Sequence, residues 1–278
     1  MSQPKLVMIE GIPGAGKTSS ARWVQAWLSG QGRDVRLRLE GDLDHPADYE
    51  SCACLTRAAF AGLLDAFPAW RETLEGLAQA RGGEVFLSYR KPRGLPPELW
   101  EALARRDVYE LPAPDFCRVT LARWEEFAVR AARQDCSYVF ECCFLQNQLT
   151  TLMAVHDLDE AALTAQLGAI AQRLRPLGAL LVYLDPLDLR AGLERAAAAR
   201  PPEWLDFVVA YTTTQAWGKR RAAAGFDGLV RFYEARRALE RRLFSRLGLD
   251  GLWLEVPGPD WSAPLSRLDA FLTTHFPA

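Results

Sequence analysis

The stretch Leu6-Val7-Met8-Ile9-Glu10-Gly11-Ile12-Pro13-Gly14-Ala15-Gly16-Lys17-Thr18 decides the fold prediction for this chain. Residues 11–18 fit the pattern G-x-x-x-x-G-K-[ST], in which glycines let the backbone wrap around a phosphate. The apolar run Leu6–Ile9 is typical of a buried strand, and the run from Ser19 to Leu28 has helical spacing. The alternative is that residues 11–18 form a glycine-rich turn that matches the pattern by chance. The predicted strand before these residues and the predicted helix after them disfavour that alternative. The sequence therefore predicts that this chain binds a nucleoside triphosphate.

Each part of the loop has an expected role in that binding. Lys17 would reach the β- and γ-phosphates, and Thr18 would offer its hydroxyl to Mg²⁺. The backbone N–H groups and the positive end of the following helix would face the phosphates. The chain has no Asn-Lys-x-Asp motif of the kind that reads guanine. This absence disfavours a GTPase switch. We expect ATP and Mg²⁺ as cofactors, with another nucleotide donor left open, and these nucleotide-binding residues: Gly11, Gly14, Ala15, Gly16, Lys17, Thr18 and Ser19.

Composition excludes several other classes of protein. The 278 residues are 49% hydrophobic and 24% charged, with a formal net charge of −2, which is ordinary for a globular protein. This charge does not favour binding to nucleic acid or to an anionic membrane. The six cysteines form no C-x-x-C pair and are not spaced with histidines as in zinc sites, so we expect reduced thiols. Without a signal peptide or a membrane-length apolar run, the prediction is a cytoplasmic protein.

Four further runs predict the other strands of a sheet. Residues 35–39 alternate between apolar and polar side chains, as in an edge strand with one wet face. Residues 138–140 and 179–184 are continuous apolar runs, which are typical of central parallel strands. A last strand is expected at 252–256, and helical patterns separate the runs. Strands that alternate with helices predict an α/β fold with a doubly wound parallel sheet.

The predicted organisation is one domain over residues 1–278 with two helical additions. Residues 43–115 are rich in Pro, Trp and Phe, with helical fragments near 55–66, 68–80 and 96–105. We expect this segment to be a helical insertion near an acceptor site. Residues 187–226 are largely helix-patterned and are expected to form a lid.

Acidic residues follow three of the predicted strands, where ligands of an open α/β sheet bind. Glu40 and Asp42 follow the second strand, Glu141 ends the third and Asp185 ends the fourth. Asp185 precedes a proline and fits a helix cap, which is favoured over a functional role for this residue. Glutamate is a poor cap, so Glu40 and Glu141 are expected to have functional roles.

These features together resemble the P-loop kinases of the thymidylate kinase and deoxynucleoside kinase type. The resemblance implies a P-loop NTPase fold with a five-stranded parallel sheet of order 2-3-1-4-5. It also implies that Glu40 accepts the proton of a substrate hydroxyl and that Glu141 serves the Mg²⁺ and substrate side. Arginines in the lid of these kinases neutralise transferring charge, and Arg195 and Arg200 lie in the corresponding interval. A solvated helix face is the alternative for both arginines.

The sequence departs from that group at the acceptor side. Its third strand ends in Glu141-Cys142-Cys143, with no arginine after the acidic residue. After the second strand it has Glu40-Gly41-Asp42, so Asp42 is a second candidate for the base. Small-molecule kinases such as chloramphenicol phosphotransferase also use an acidic base beyond the second strand, which leaves the acceptor open.

Two more residues are candidates for substrate binding. Arg90 stands in a basic cluster at 90–93 and would receive an anionic group, or it is part of an exposed turn. Gln146 follows Glu141 closely and would hydrogen-bond a base or sugar, or it is a helix-surface amide.

The function predicted first is an ATP- and Mg²⁺-dependent kinase that phosphorylates a hydroxyl of a nucleoside-like or antibiotic-like small molecule. A nucleoside monophosphate kinase is the near alternative, since a phosphate acceptor needs no strong base. A nucleotide-dependent regulatory ATPase or binding module is the alternative from another class. The expected partner is a small-molecule acceptor, and the sequence leaves open whether the chain forms a homodimer.

Overall fold

The structure is a computed structural model that describes residues 3–258 and 260–277. Its strands, in chain order, are β1 (Leu6–Gly11), β2 (Val35–Arg38), β3 (Cys52–Thr56), β4 (Gln79–Arg81), β5 (Glu84–Ser88), β6 (Ser137–Glu141), β7 (Leu180–Pro186) and β8 (Asp250–Val256). Its α-helices are α1 (Lys17–Gly30), α2 (Arg57–Ala66), α3 (Arg71–Leu77), α4 (Pro97–Ala104), α5 (Ala113–Ala132), α6 (Gln146–Ala154), α7 (Glu160–Leu174), α8 (Leu189–Ala198), α9 (Pro202–Thr213), α10 (Ala216–Arg220), α11 (Gly225–Phe244) and α12 (Ser262–His275).

Five strands form one parallel sheet in the spatial order β2-β6-β1-β7-β8. Numbered along the chain among themselves, these strands have the order 2-3-1-4-5, which confirms the predicted order. Helices separate and flank them, as expected for parallel strands, whose crossovers must return to the same edge. The architecture is α/β and is compatible with the P-loop fold that the sequence predicts.

Burial follows the predicted division into central and edge strands. Every residue of β1, β6 and β7 is buried, because each of these strands has a neighbour on both sides and helices over the sheet. β2 has no fully buried residue, as its alternating sequence predicts for an edge. The three apolar runs thus form the buried centre of the sheet, and the glycine loop follows directly from β1, the middle one of these three strands.

The chain divides into two compact units, whereas the sequence predicts one domain. One unit consists of the residues up to Glu40 together with those from Trp124 onwards, and it contains the five-stranded sheet. The other unit is Gly41–Arg123. The segment expected at 43–115 therefore corresponds closely to a unit with a core of its own.

This second unit is not the purely helical insertion that we expected. A three-stranded antiparallel sheet of order β3-β5-β4 lies beside α2, α3 and α4. Its core includes Ala53, Leu55, Leu87 and Leu99. The sequence pattern did not reveal β3 because this strand runs directly into α2. Thr56 is the last residue of β3 and also the N-cap of α2, where its side chain accepts a hydrogen bond from the N–H of Ala59. The strand has only five residues, too few for a clear alternation.

Residues 187–226 are helical as predicted, with α8, α9, α10 and the start of α11. Pro201 caps α9 and Pro202 opens it, because a proline lacks the N–H that a helix interior requires. Within the described ranges 3–258 and 260–277, no helix combines the length and the apolar character that a membrane crossing needs.

Candidate active site

The glycine loop adopts a conformation that other residues would strain. Gly11 has φ +146° and Gly14 has φ +82°, both in the region that favours glycine. A Cβ at Gly11 would lie 2.5 Å from the carbonyl oxygen of Leu184, and one at Gly14 would lie 2.3 Å from that of Gly192. The loop therefore packs backbone to backbone against the end of β7 and against α8.

The loop leads directly into α1, whose first residue is Lys17. Lys17 is buried, and its Nζ donates a hydrogen bond to the carbonyl oxygen of Ile12 at 2.9 Å, so the ammonium folds back over the loop. Gly16 caps α1 without a side-chain hydrogen bond, which leaves the first amides of the helix for another acceptor. The exposed Thr18 and Ser19 lie in that first turn. A cation and free amides at one helix start form a site suited to phosphate.

A hydrogen bond joins the loop to the end of β6. The hydroxyl of Thr18 donates to Oε1 of Glu141 at 2.6 Å, and Glu141 is buried. The other oxygen of Glu141 accepts the backbone N–H of Glu40 at 3.3 Å. Residues expected to serve the metal and the acceptor therefore meet at the carboxyl edge of the sheet.

The Glu40 side chain lies among groups from the start of α6. Its Oε1 accepts from Nε2 of Gln146 at 2.8 Å, and its Oε2 accepts from Sγ of Cys142 at 3.6 Å. Glu40 is exposed, whereas Gln146 is 8% exposed. Of the two expectations for Gln146, the surface amide is wrong, because this residue begins α6 from a buried position.

Potential metal ligands cluster at the same point. Ligand atoms of Glu40, Glu141 and Cys142 lie within 4.8 Å of one another. Carboxylate oxygens suit Mg²⁺, and the Thr18 hydroxyl is hydrogen-bonded to one of them. Cys142 has φ +67°, which is unusual for a residue with a side chain, and burial raises the pKa of its thiol well above the usual value. The neutral thiol is therefore a donor to Glu40 in this arrangement.

A third carboxylate, Glu10, lies inside the sheet one residue before the loop. It is fully buried, and its two oxygens accept the backbone N–H groups of Phe144 at 2.8 Å and of Gln146 at 2.9 Å. Desolvation raises the pKa of Glu10 to about 7, against the lowering effect of these hydrogen bonds. Glu10 thus ties β1 to the turn that begins α6.

A buried arginine supports the loop from α11. Arg236 is fully buried and donates to the carbonyl oxygen of Gly11 at 3.0 Å and to the Thr150 hydroxyl at 2.8 Å. Its Nε lies 3.2 Å from Oε1 of Glu240, an ion pair without hydrogen-bond geometry, and the Tyr183 hydroxyl donates to the other oxygen of Glu240 at 2.5 Å. Buried charges need such partners, since an unpaired charge in the core costs several kcal/mol.

Sequence reasoning missed this buried cluster of Glu10, Arg236, Glu240 and Tyr183. One signal was available: Glu10 is an ionisable residue in an otherwise apolar run that is predicted to be buried. Arg236 and Glu240 gave no such signal, since charged residues surround them in a helix-patterned segment.

The interpretation of Asp185 as a helix cap is wrong. Asp188 caps α8, where its side chain accepts the N–H of Ala191 at 2.9 Å. Asp185 is still within β7, accepts from Nε1 of Trp253 at 2.9 Å and lies 3.5 Å from the guanidinium of Arg237. The strand ends two residues later than predicted, which moves the cap along the chain.

Arg195 and Arg200 are exposed and lie at or just beyond α8. Arg195 follows Gly192 by one helical turn, so it is close to the part of α8 that packs on the loop. No hydrogen bond or ion pair of Arg195 occurs within residues 3–258 and 260–277. The guanidinium of Arg200 lies 4.5 Å from the ring centre of Trp204 and donates to the carbonyl oxygen of Ala196.

Asp42 and Arg90 belong to the second unit, Gly41–Arg123. Oδ1 of Asp42 accepts the backbone N–H of Asp44 at 2.8 Å, which shapes a turn. Arg90 is exposed and lies 3.5 Å from a carboxylate oxygen of Glu50. Their expected substrate roles stay predictions.

The site in the first unit thus brings together Lys17, Thr18, Glu40, Glu141 and Gln146, each predicted from sequence. Comparison of the chain with protein-family models and with curated proteins finds no match.

Proposed function

We propose that this chain is an ATP- and Mg²⁺-dependent kinase with a P-loop fold that phosphorylates a hydroxyl group of a small molecule. The observation that carries the proposal is the hydrogen bond of 2.6 Å between the Thr18 hydroxyl and Glu141. It joins a phosphate-suited loop to an acidic strand end, and the same Glu141 carboxylate accepts the backbone N–H of Glu40.

The donor half of the reaction rests on the loop and α1. The amides of the loop and of the first turn of α1 would bind the phosphates, with Lys17 exchanging its bond to Ile12 for a phosphate oxygen. Thr18 and Glu141 would hold Mg²⁺, directly or through water. When bound, Mg²⁺ neutralises charge on the phosphate oxygens.

The acceptor half rests on Glu40. Its carboxylate is exposed on one side and held by Gln146 on the other, so it can face a ligand while keeping a defined orientation. A carboxylate so placed orients a hydroxyl and accepts its proton late in a loose transition state. Arg195, with no partner in the described ranges, is the better placed of the two lid candidates to neutralise transferring charge.

Two other functions remain alternatives. A nucleoside monophosphate kinase would transfer to a phosphate and would not need Glu40 as a base. A regulatory ATPase would hydrolyse ATP without a response to small molecules. The exposed Glu40 carboxylate beside the candidate Mg²⁺ ligands favours the hydroxyl kinase over both.

The test is phosphate transfer from γ-labelled ATP to a panel of nucleosides, nucleotides and hydroxylated antibiotics, with wild type, Glu40→Gln and Asp42→Asn. We expect labelled product with one hydroxyl compound and a fall in kcat of roughly 10²-fold in Glu40→Gln. ATP affinity should change little, because the loop builds the donor site.

The variants also discriminate between the alternatives. Loss of transfer in Asp42→Asn with normal turnover in Glu40→Gln would move the base to Asp42. Full activity in both variants with a nucleotide acceptor would favour the nucleoside monophosphate kinase. Hydrolysis that no compound stimulates would contradict the kinase proposal.

A further inference from the structure

The buried Glu10 is the starting point of a hydrogen-bonded chain that ends at Glu40. Both carboxylate oxygens of Glu10 accept backbone N–H groups, from Phe144 at 2.8 Å and from Gln146 at 2.9 Å. These two donors lie in the turn that begins α6. The orientation of that turn therefore depends on a carboxylate of β1.

Gln146 carries the connection onward to the candidate base. Its Nε2 donates to Oε1 of Glu40 at 2.8 Å. Its own Oε1 is buried and has no hydrogen-bond partner in the described part of the chain, so the amide is not held from its other end. The Gln146 side chain is buried, and one hydrogen bond of its backbone goes to Glu10.

We infer that Glu10 is a positioning residue for Glu40, which it orients through the backbone and side chain of Gln146. This inference rests on the proposed kinase function. Glu10 is fully buried, and its carboxylate oxygens accept hydrogen bonds from Phe144 and Gln146, so it would act on the site through the turn. A misplacement of about 1 Å at a reacting group can lower a rate by roughly 10²-fold, which makes such a support important.

The ionised form of Glu10 suits this role best, because both of its oxygens accept hydrogen bonds. Desolvation raises its pKa to about 7. Glu240 and Arg236 on α11 and Cys142 after β6 interact electrostatically with Glu10, and Tyr183 pairs with it across the sheet. Lys17 on α1 interacts in turn with Cys142 and Glu240. Glu240 raises the pKa of Glu10, so its removal should shift the ionisation of Glu10 to lower pH.

The first test is Glu10→Gln, measured with Mg·ATP and the acceptor found in the panel, or with water as acceptor if hydrolysis alone is seen. We expect kcat to fall by roughly 10-fold or more, with the KM for ATP within about 2-fold of wild type. In wild type kcat should rise with pH through about 7, and this rise should be lost in Glu10→Gln.

Glu240→Gln is the matched control, since it makes the same substitution at an equally buried carboxylate with no hydrogen bond to the turn. It should keep the rise in kcat, displaced to lower pH. If both variants lose the rise, or if Glu10→Gln keeps it, Glu10 does not position Glu40.

A double-mutant cycle tests the route through Gln146. If Glu10 acts through this residue, Glu10→Gln combined with Gln146→Ala should be no slower than Gln146→Ala alone. Additive losses in the double variant would overturn the proposed route.

A third measurement does not depend on catalysis. Hydrogen exchange of the peptide that covers residues 142–149 should be faster in Glu10→Gln than in wild type, without nucleotide, while Glu240→Gln should change it less. If wild type transfers no phosphate, the kinase proposal fails. A faster exchange in Glu10→Gln would still support the inference that the Glu10 carboxylate fixes the turn. Unchanged exchange would contradict the inference by itself.

Discussion

Gly14→Ala tests the packing of the glycine loop against α8. The substitution puts a methyl group where φ is +82° and where the added Cβ would lie 2.3 Å from the carbonyl oxygen of Gly192. Gly32→Ala is the matched control, because Gly32 has a similar φ of +77° and no described residue lies within 4 Å of the added Cβ. The two variants share the backbone strain and differ in the close contact.

The expected magnitudes follow from these two terms. Backbone strain at positive φ costs ~1–2 kcal/mol for a residue with a side chain, and Gly32→Ala should lose about that much free energy of unfolding. A contact of 2.3 Å forces backbone movement, and such overpacking costs a further ~1–3 kcal/mol. Gly14→Ala should therefore lose roughly 2–5 kcal/mol in total.

The assays are urea unfolding and titration with a non-hydrolysable ATP analogue. Because the loop must move away from α8 in Gly14→Ala, its amides leave the phosphate position, and analogue affinity should fall by roughly 10-fold or more. Affinity should be unchanged in Gly32→Ala, which lies at the far end of α1. Equal stability and equal affinity in the two variants would refute the close packing of the loop on α8.

Three other measurements probe the donor site, the expected lid and the buried carboxylate. Lys17→Ala should abolish phosphate transfer and keep the fold, which circular dichroism and a labelled-ATP assay check together; normal turnover would remove the donor-site assignment. Arg195→Ala should lower kcat more than ATP affinity and more than Arg200→Ala does, because Arg200 is already stacked on a ring; equal kinetics in all three proteins would make both arginines solvated surface. Burial raises the pKa of Glu10 from 4.5 to about 7. Between these two pH values the native protein therefore keeps a proton on Glu10 that the unfolded chain has lost. The free energy of unfolding should fall by up to ~3 kcal/mol as pH rises through this window. Urea unfolding at pH 5 and 7.5 checks this, and Glu10→Gln should lack that part of the slope; an identical slope in the variant would contradict it.

The agreement between prediction and structure is closest where the signal is local. The loop pattern, the apolar runs of β1, β6 and β7 and the alternation of β2 each predict an element within a few residues of its observed bounds. The carboxylates Glu40 and Glu141 could be placed at one edge because parallel strands end on the same side of a sheet.

The prediction was weaker where two signals overlap. β3 passes directly into α2 at Thr56, and a short strand with no turn before a helix does not interrupt the helical pattern. The prediction for Asp185 is wrong because β7 extends through Pro186, whereas a proline in the sequence predicts the end of a strand.

The sequence by itself determined that a strand, a glycine loop and a helix follow one another, since backbone freedom and side-chain periodicity are properties of neighbouring residues. Only the tertiary structure decided that Arg236 holds the carbonyl of Gly11 and that Glu10 holds the turn before Gln146. These contacts join residues that are far apart in the chain, and a buried charge is stable only where folding brings its partner within hydrogen-bond distance. No local pattern specifies such a partner. The sequence of α11 contains several arginines and glutamates, and only Arg236 and Glu240 among them are buried.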